Sequence, residues 1–480
     1  MARDRNRWRA GWTAAGAAAA LGTATLTAPG AVASAAAWNT ATALPGITAL
    51  NHDFTALQPQ SLSCASAVNC AIGGVYTDGT GHQQVFVASE KSGAWGAAKE
   101  VPGSATLNQG DANLWTVSCG AAGDCVAGGM YAGALRSEQS FLVTEKNGTW
   151  GKAAEVPGTA ALNAGGTIAA LRSVSCTSAT TCSGGGAYTS SAGAELPYLI
   201  TETGGTWGNA IPVAGLATLG TGSASIQQVS CVSAGNCVAG GSYFTSTGDE
   251  DAFVITQTGG TWGNAQAIPG LAALNHQQGP LESLSCGAVG NCAAAGSYTD
   301  AAGNIQAWVA SEKSGTWGNA KEVPGTAALN TAGFAVADTV SCGAAGNCAA
   351  GGWYSGATTL TAFVVSEKSG VWGQAKQAPG IAALNTANNA QLSTVSCPSA
   401  GNCAAGGYYF ASGVGQEEFV ISETNGIWGQ AQEVPGTAAL NVNADGTTTT
   451  VSCPSAGNCG LDGTYGDSSA DTQVFVDGQG

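Results

Sequence analysis

The sequence predicts an all-β fold, an eight-bladed β-propeller of four-stranded antiparallel blades, and three observations lead there. First, a pair of cysteines six positions apart returns eight times: Cys64 with Cys70, Cys119 with Cys125, Cys176 with Cys182, Cys231 with Cys237, Cys286 with Cys292, Cys342 with Cys348, Cys397 with Cys403, and Cys453 with Cys459. These pairs use all 16 cysteines and recur every 55 to 57 residues; a fixed period of that size marks a repeat protein whose unit is one supersecondary element. Second, each unit holds four short β runs bounded by Gly, Pro, Asn and Ser clusters, the content of a propeller blade. Third, the repeat is offset at its ends. Trp38, Pro45 and Asn51 have the spacing of Trp317, Pro324 and Asn330, so the repeat opens on a fourth strand. It finishes on Cys453 and Cys459, Tyr465 and Phe475, which belong to strands one to three. Joined, the fragments make the eighth blade and close the ring without an open edge. A β-solenoid, the competing architecture, has shorter rungs and needs separate end caps.

Residues 1–35 read as a secretory signal peptide. Arg3, Arg5, Arg7 and Arg9 make a basic start, Ala14 to Ala28 is apolar and small, and Ala33 or Ala35 offers a cleavage site, the order of a Sec-type leader. That leaves 36–480 as a single propeller domain. The arginines are not adjacent, against a twin-arginine leader, and no cysteine precedes Cys64 to carry a lipid anchor. No later run of about 18 apolar residues could span a bilayer. The expected product is secreted, extracellular and monomeric. In an exported chain an even cysteine count reads as disulfides, and the repeat assigns each pair to itself. Metal binding competes poorly, since each unit offers two thiols and the chain has three histidines, His52, His82 and His276.

Within a unit the elements follow in order, with the sixth as type. Thr339 to Cys342 is a short strand, Gly343 to Asn347 turns it, and Cys348 to Tyr354 is the second strand. Ala362 to Ser366 is the third, Lys368-Ser369-Gly370 turns again, and Trp372 to Ala378 makes the fourth before Pro379-Gly380 stops it. No segment has helical period over a useful length; the Ala-rich Ile381 to Asn385 is too short. Superposed units share a Tyr six residues after the second cysteine (Tyr76, Tyr131, Tyr188, Tyr243, Tyr298, Tyr354, Tyr409 and Tyr465), with Gly two before it. An aromatic stands in every third strand: Phe86, Phe141, Tyr198, Phe253, Trp308, Phe363, Phe419 and Phe475. Small residues in the second strand let sheets approach closely, and the aromatics are expected to fill the wedge between blades. Each seven-residue disulfide loop should contribute about 2 kcal/mol on the chain-entropy model.

Charge narrows the partners. The chain carries 14 Lys+Arg and 30 Asp+Glu; without Arg3, Arg5, Arg7, Arg9 and Asp4 of the leader, 10 and 29 remain, a net charge of −19. Nucleic acid and anionic lipid both require basic patches, so neither is an expected partner.

The words Ser-Val-Ser-Cys-x5-Cys-Ala-Ala-Gly-Gly-x-Tyr, Phe-Val-x-Ser-Glu-Lys-x-Gly-Thr-Trp-Gly and Val-Pro-Gly-Thr-Ala-Ala-Leu-Asn resemble those of secreted actinobacterial repeat proteins, β-propeller-like and largely uncharacterised. The resemblance covers all of 36–480 and implies no particular activity. The turn Ser311 to Trp317 is more distantly similar to the Asp-box of sialidase-like propellers, departing by one residue and by the missing Asp. That family grips its substrate carboxylate with three arginines, whereas only Arg136 and Arg172 remain after the leader; lysine lacks the planar fork.

Two constellations are candidates for function. Trp38, Trp95, Trp150, Trp207, Trp262, Trp317, Trp372 and Trp428 form a ring of equivalent indoles, which fits either one sugar platform per blade or, the favoured reading, packing of the outer turn. The loops between second and third strands carry Asp78, Asp249-Glu250-Asp251, Asp300 and Glu417-Glu418, and the blade-to-blade loops carry His276 and His52-Asp53. Both loop sets should emerge on one face, opposite the disulfide turns, where a binding site is expected. The carboxylates are suited to ligate calcium or to act as a glycosidase acid pair, or they are solvated loop charges. No Gly-x-Ser-x-Gly elbow and no free thiol supplies a nucleophile, and no cofactor is expected. The function expected is therefore a secreted binding or surface-interaction module for extracellular glycan or protein, lectin-like. The alternatives are an extracellular hydrolase or lyase using carboxylates at the channel mouth, and a structural envelope protein.

Overall fold

Each cysteine pair sits at the base of a hairpin. In the sixth blade Cys342 and Cys348 are direct partners of the antiparallel strands Ala335–Ala344 and Asn347–Ser355, and their disulfide closes the turn between them. The same bridge forms in the other seven repeats, in the pairing expected. Cys64 is bonded to Cys70, Cys119 to Cys125, Cys176 to Cys182 and Cys231 to Cys237. Cys286 is bonded to Cys292, Cys397 to Cys403 and Cys453 to Cys459. No free cysteine remains among the described residues. The computed structural model describes residues 36–51, 57–133, 137–220 and 222–479. The leader over 1–35, His52, Asp53 and Arg136 lie outside the described residues.

The strands form eight antiparallel sheets in which the innermost, second, third and outermost strands lie side by side, an eight-bladed propeller. The eighth sheet is assembled from both ends. Thr42–Ala43 pairs with Thr472–Gln479, Thr42 opposite Val476, and Trp38 bridges Gln479. The third-strand aromatics are 0–1% exposed, and with the repeat tyrosines they fill the space between blades. The Gly before each tyrosine has a specific cause. A β-bulge in the innermost strand swings a carbonyl over it, so that a Cβ at Gly352 would overlap the Val336 oxygen and one at Gly407 the Gln391 oxygen.

Three rings of hydrogen bonds tie blade to blade. Innermost strands have a free edge facing the channel, and edge N–H groups need partners. The Ser before each first cysteine supplies one: Ser285 Oγ accepts from Cys342 N at 3.0 Å, Ser341 from Cys397 N at 2.9 Å, and Ser452 from Cys64 N at 2.9 Å, which carries the ring across the seam. Two residues earlier a second hydroxyl does the same, as when Ser283 accepts from Val340 N at 3.0 Å. At the outside, the Ala after each Trp-Gly-x donates its N–H to the preceding blade's Val-Pro-Gly, for example Ala375 to Pro324 O at 2.6 Å and Ala41 to Pro435 O at 2.8 Å.

That outer bond explains a departure from the sequence reading. The fourth strand is not continuous: Val371–Trp372 and Lys376–Gln377 both pair with the third strand, and the residues between bulge toward the neighbouring blade. A second departure is the Ala-rich segment, which forms one turn of helix, Ile381–Leu384, entered through Gly380 at φ 85° and closed by Asn385 N to Ile381 O at 2.8 Å. Gly tolerates that left-handed entry. The turn aims the buried Asn385 side chain at Leu360 O, 3.1 Å away, stapling the blade-to-blade loop to the loop between second and third strands. Asn330 and Asn441 do the same.

Candidate functional site

The two faces are distinct. On one, the disulfide turn and the outer turn are linked, Gly370 N to Gly346 O at 2.8 Å. On the other, the second-to-third loops meet the blade-to-blade loops through parallel bridges such as Ile305 to Phe334 and Leu360 to Asn389.

On the disulfide face the repeat indoles act between blades. Trp372 is 4% exposed, and its Nε1 donates to Ser311 Oγ of the previous blade at 2.9 Å. The same Ser311 donates to Glu367 at 2.6 Å. Trp150, Glu145 and Ser89 repeat the clasp. Burial raises the pKa of Glu145 and Glu367, partly offset by those hydroxyls. Where the upstream residue is Thr, the clasp loosens: Trp262 Nε1 reaches Thr201 Oγ1 at 3.4 Å, and Nε1 of Trp207 and of Trp317, beside Thr144 and Thr256, lacks a partner. A cavity of about 840 Å³ opens between blades five and six on this face, lined by Glu312, Trp317, Lys321, Glu367 and Trp372. Ser311, Glu367 and Trp372 on its wall form the clasp between these blades.

The variable face holds the loop residues singled out from sequence. Asp78 and Asp300 cap their own turns: Asp78 Oδ1 accepts from Thr80 N at 2.8 Å and His82 N at 3.1 Å, Oδ2 from Gln84 at 2.9 Å. Asp300 accepts from Ala302 N, Asn304 N and Gln306 at 2.9–3.0 Å. Burial opposes ionisation of both, but these donors outweigh it and hold the carboxyls below the ordinary range. Asp249 accepts from the Thr247 hydroxyl in its own turn. Asp251 is buried against Asn275 Nδ2 at 2.8 Å, and Glu417 against Asn441 Nδ2 at 3.0 Å. Glu418 is fully buried with neither oxygen hydrogen-bonded, and burial pushes it up to about 8. His276 is exposed and holds its loop through its backbone N–H to Thr299 O at 2.8 Å. Among the described residues no group of three or more His, Cys, Asp or Glu is arranged to hold a metal ion.

Of these residues Glu250 borders a larger feature. Eight blades solve one packing problem, so a residue that departs from the pattern answers to something other than packing. Two positions depart most. The unpaired residue in the innermost-strand irregularity is Gln60, Trp115, Arg172, Gln227, Glu282, Asp338, Ser393 or Thr449. The residue before the repeat tyrosine is Val75, Met130, Ala187, Ser242, Ser297, Trp353, Tyr408 or Thr464. In blades five to seven they converge at the channel mouth, where Glu250 of blade four joins them. Glu250 lies within electrostatic reach of Glu282, Glu282 and Tyr408 lie within reach of Asp338, and the Trp353 side chain stands beside Asp338. Burial, then repulsion from Glu282, pushes Asp338 up to about 7; Glu282 is exposed to the channel, where partial desolvation by the surrounding walls, then Glu250, raises it. Phe334, 41% exposed, stacks on Trp353 with centroids 4.9 Å apart and planes at 10°. Tyr408 meets Phe410 edge-on at 6.0 Å. Sequence reasoning missed Glu282, Phe334, Asp338, Trp353 and Tyr408, because superposition was read for what recurs; the same alignment read for departures marks all but Phe334.

Neither a family model nor a curated protein sequence matches the chain. Solved structures do. The Hadza microbial sialidase Hz136 matches at 12% identity and TM-score 0.36 over 66% of this chain, which covers 65% of the sialidase, less than two thirds. A polysaccharide lyase PL25, an ulvan lyase, matches at 10% and 0.39, covering 84% of this chain and 95% of its own. The fucose-specific lectin from Aleuria aurantia matches at 12% and 0.33, covering 78% and 93%. At these TM-scores the likenesses carry no argument about ligand or activity.

Proposed function

We propose that the protein is an exported binding module that takes extracellular glycan at the channel mouth of the variable face. The observation that carries this reading is the stacked Phe334–Trp353 pair beside Asp338, with Glu282 at the equivalent position of the neighbouring innermost strand. Exposed aromatic faces offer the flat apolar surface a pyranose ring covers, and adjacent carboxylates accept its hydroxyl protons. Export is supported by the leader-like 1–35 and by eight disulfides, which persist in oxidising compartments. No helix among the described residues is long and apolar enough to cross a membrane. The disulfide-face cavity is the weaker candidate, since Trp372 and Glu367 on its wall are engaged in the clasp.

A second reading has its own support. Two neighbouring carboxyls, one pushed up to about 7, are what general acid–base cleavage of a glycosidic bond uses. A glycan array probed with the wild type and with Trp353→Ala, run beside a reducing-sugar release assay, tests both. Binding to a defined glycan set that falls at least about tenfold in Trp353→Ala, with no sugar released, is the expected result. Release that disappears in Asp338→Asn establishes the enzyme, and an array empty for the wild type overturns the glycan reading.

A further inference from the structure

Charge on this propeller is sorted by face. All eight lysines outside the leader stand on the outer turns or fourth strands: Lys91, Lys146, Lys313 and Lys368 end third strands at the outer turns, and Lys99, Lys152, Lys321 and Lys376 lie along the fourth. The innermost strands carry a single described cation, Arg172, and its guanidinium is held by Glu195 at 3.1 Å. The channel mouth meanwhile gathers Glu250, Glu282 and Asp338 across blades four, five and six: Glu282 and Asp338 stand at the unpaired position of neighbouring innermost strands, and Glu250 bridges Gln278 in the segment that leads to Glu282. A concave site lined by one sign of charge concentrates ligands of the other and repels its own. Uronic, sialic and sulfated sugars are therefore disfavoured there, and a sugar bearing a positive charge is favoured twice. Its ring covers the aromatic stack, and its ammonium pairs with Glu282 and Asp338 while gaining cation–π attraction from Trp353.

We infer that the ligand class of the channel mouth is an amino sugar with a free amine, presented on an extracellular polysaccharide. This rests on the glycan reading above and adds the charge. A lysine-rich peptide shares the charge but lacks the flat ring that the 10° Phe334–Trp353 stack is shaped to hold.

The test measures affinity of the disulfide-intact protein for glucosamine oligomers, for the same oligomers N-acetylated, and for a lysine-rich peptide of equal charge. Each is repeated with Glu282→Gln/Asp338→Asn and with 0.5 M salt. The free-amine oligomer should bind about tenfold more tightly than the acetylated one and lose that margin in the double variant and at high salt. Acetylated or neutral oligomers binding as well as the free amine would overturn the charge assignment while leaving the glycan reading intact. The peptide binding as tightly as the sugar would overturn the sugar ring as the recognised group. No oligomer binding, with an empty array, would remove both.

Discussion

The disulfide face and the channel mouth are made from the same repeat and have been used oppositely. On the disulfide face each blade says the same thing: a Cys–Cys turn, a Ser hydroxyl passed to the next blade, an indole set against its neighbour. At the mouth two equivalent positions each hold seven residue types across the eight blades, and those of blades five to seven gather acids and aromatics in one arc, with Glu250 of blade four beside them. Repetition there signals a closed ring, and divergence here signals a ligand. A single repeat cannot separate the two roles, because Trp372 and Trp353 are both tryptophans in a Gly-rich strand context. Their surroundings separate them: Trp372 is 4% exposed and hydrogen-bonded across the blade interface, whereas Trp353 is half-buried, stacked on the exposed Phe334 and set beside an acid.

The largest effect that would break this comparison is on stability. Trp372→Ala removes a buried indole and leaves Ser311 Oγ without the donor it accepts from, so it should cost about 3–5 kcal/mol by chemical denaturation. Trp353→Ala removes a half-buried ring and one stacking contact and should cost only about 1 kcal/mol, while it abolishes glycan binding. Equal costs, or binding lost only in Trp372→Ala, would exchange the two roles.

A second effect comes from the seventh blade and the closing blade, which depart from the pattern inside their cores, Glu418 in the seventh and Asp462 and Asp477 in the closing one. Glu418, Asp462 and Asp477 are 0–8% exposed at positions that are Ala, Gly and Val or Ile in several other blades, such as Ala362, Gly351 and Val365. Burial pushes Glu418 up to about 8 and Asp462 and Asp477 up to about 7, against hydrogen bonds from Thr450 to Asp462 and from Gly478 N to Asp477. Their folded pKa values exceed the unfolded ones near 4, so between about pH 4 and 8 the native state keeps protons that the unfolded state has released. Stability should therefore fall as pH rises through that window, by an amount on the order of a few kcal/mol, and level off above it. Thermal melts from pH 4 to 9 check this. In Glu418→Ala/Asp477→Val the slope should flatten, and an unchanged slope would place its origin elsewhere.

Much of the fold was legible because it recurs. The cysteine spacing gave the bridges, the third-strand aromatics gave the core, and the offset of Trp38 against Phe475 gave the closure seen at Thr42 and Val476. What stayed hidden depends on geometry between blades. Ser341 and Ser285 read as small strand residues until the next blade's N–H is placed beside them, and the bulge after Trp372 exists to reach Pro324 across an interface that no local spacing records. The loop acids were visible, but Asp78 and Asp251 engage their oxygens within the loops. Glu282 and Asp338 lie 56 positions apart in neighbouring repeats and become a pair only when the ring brings them together.

Where a ligand sits is the central claim, and hydrogen–deuterium exchange with and without a glycan from the array reads it directly. Protection confined to peptides spanning 334–338, 350–355 and 406–411 is the predicted result, with the disulfide-face segments 311–321 and 367–372 unchanged. Protection of those two segments, with the channel mouth unaffected, would contradict the account and move the site to the cavity between blades five and six.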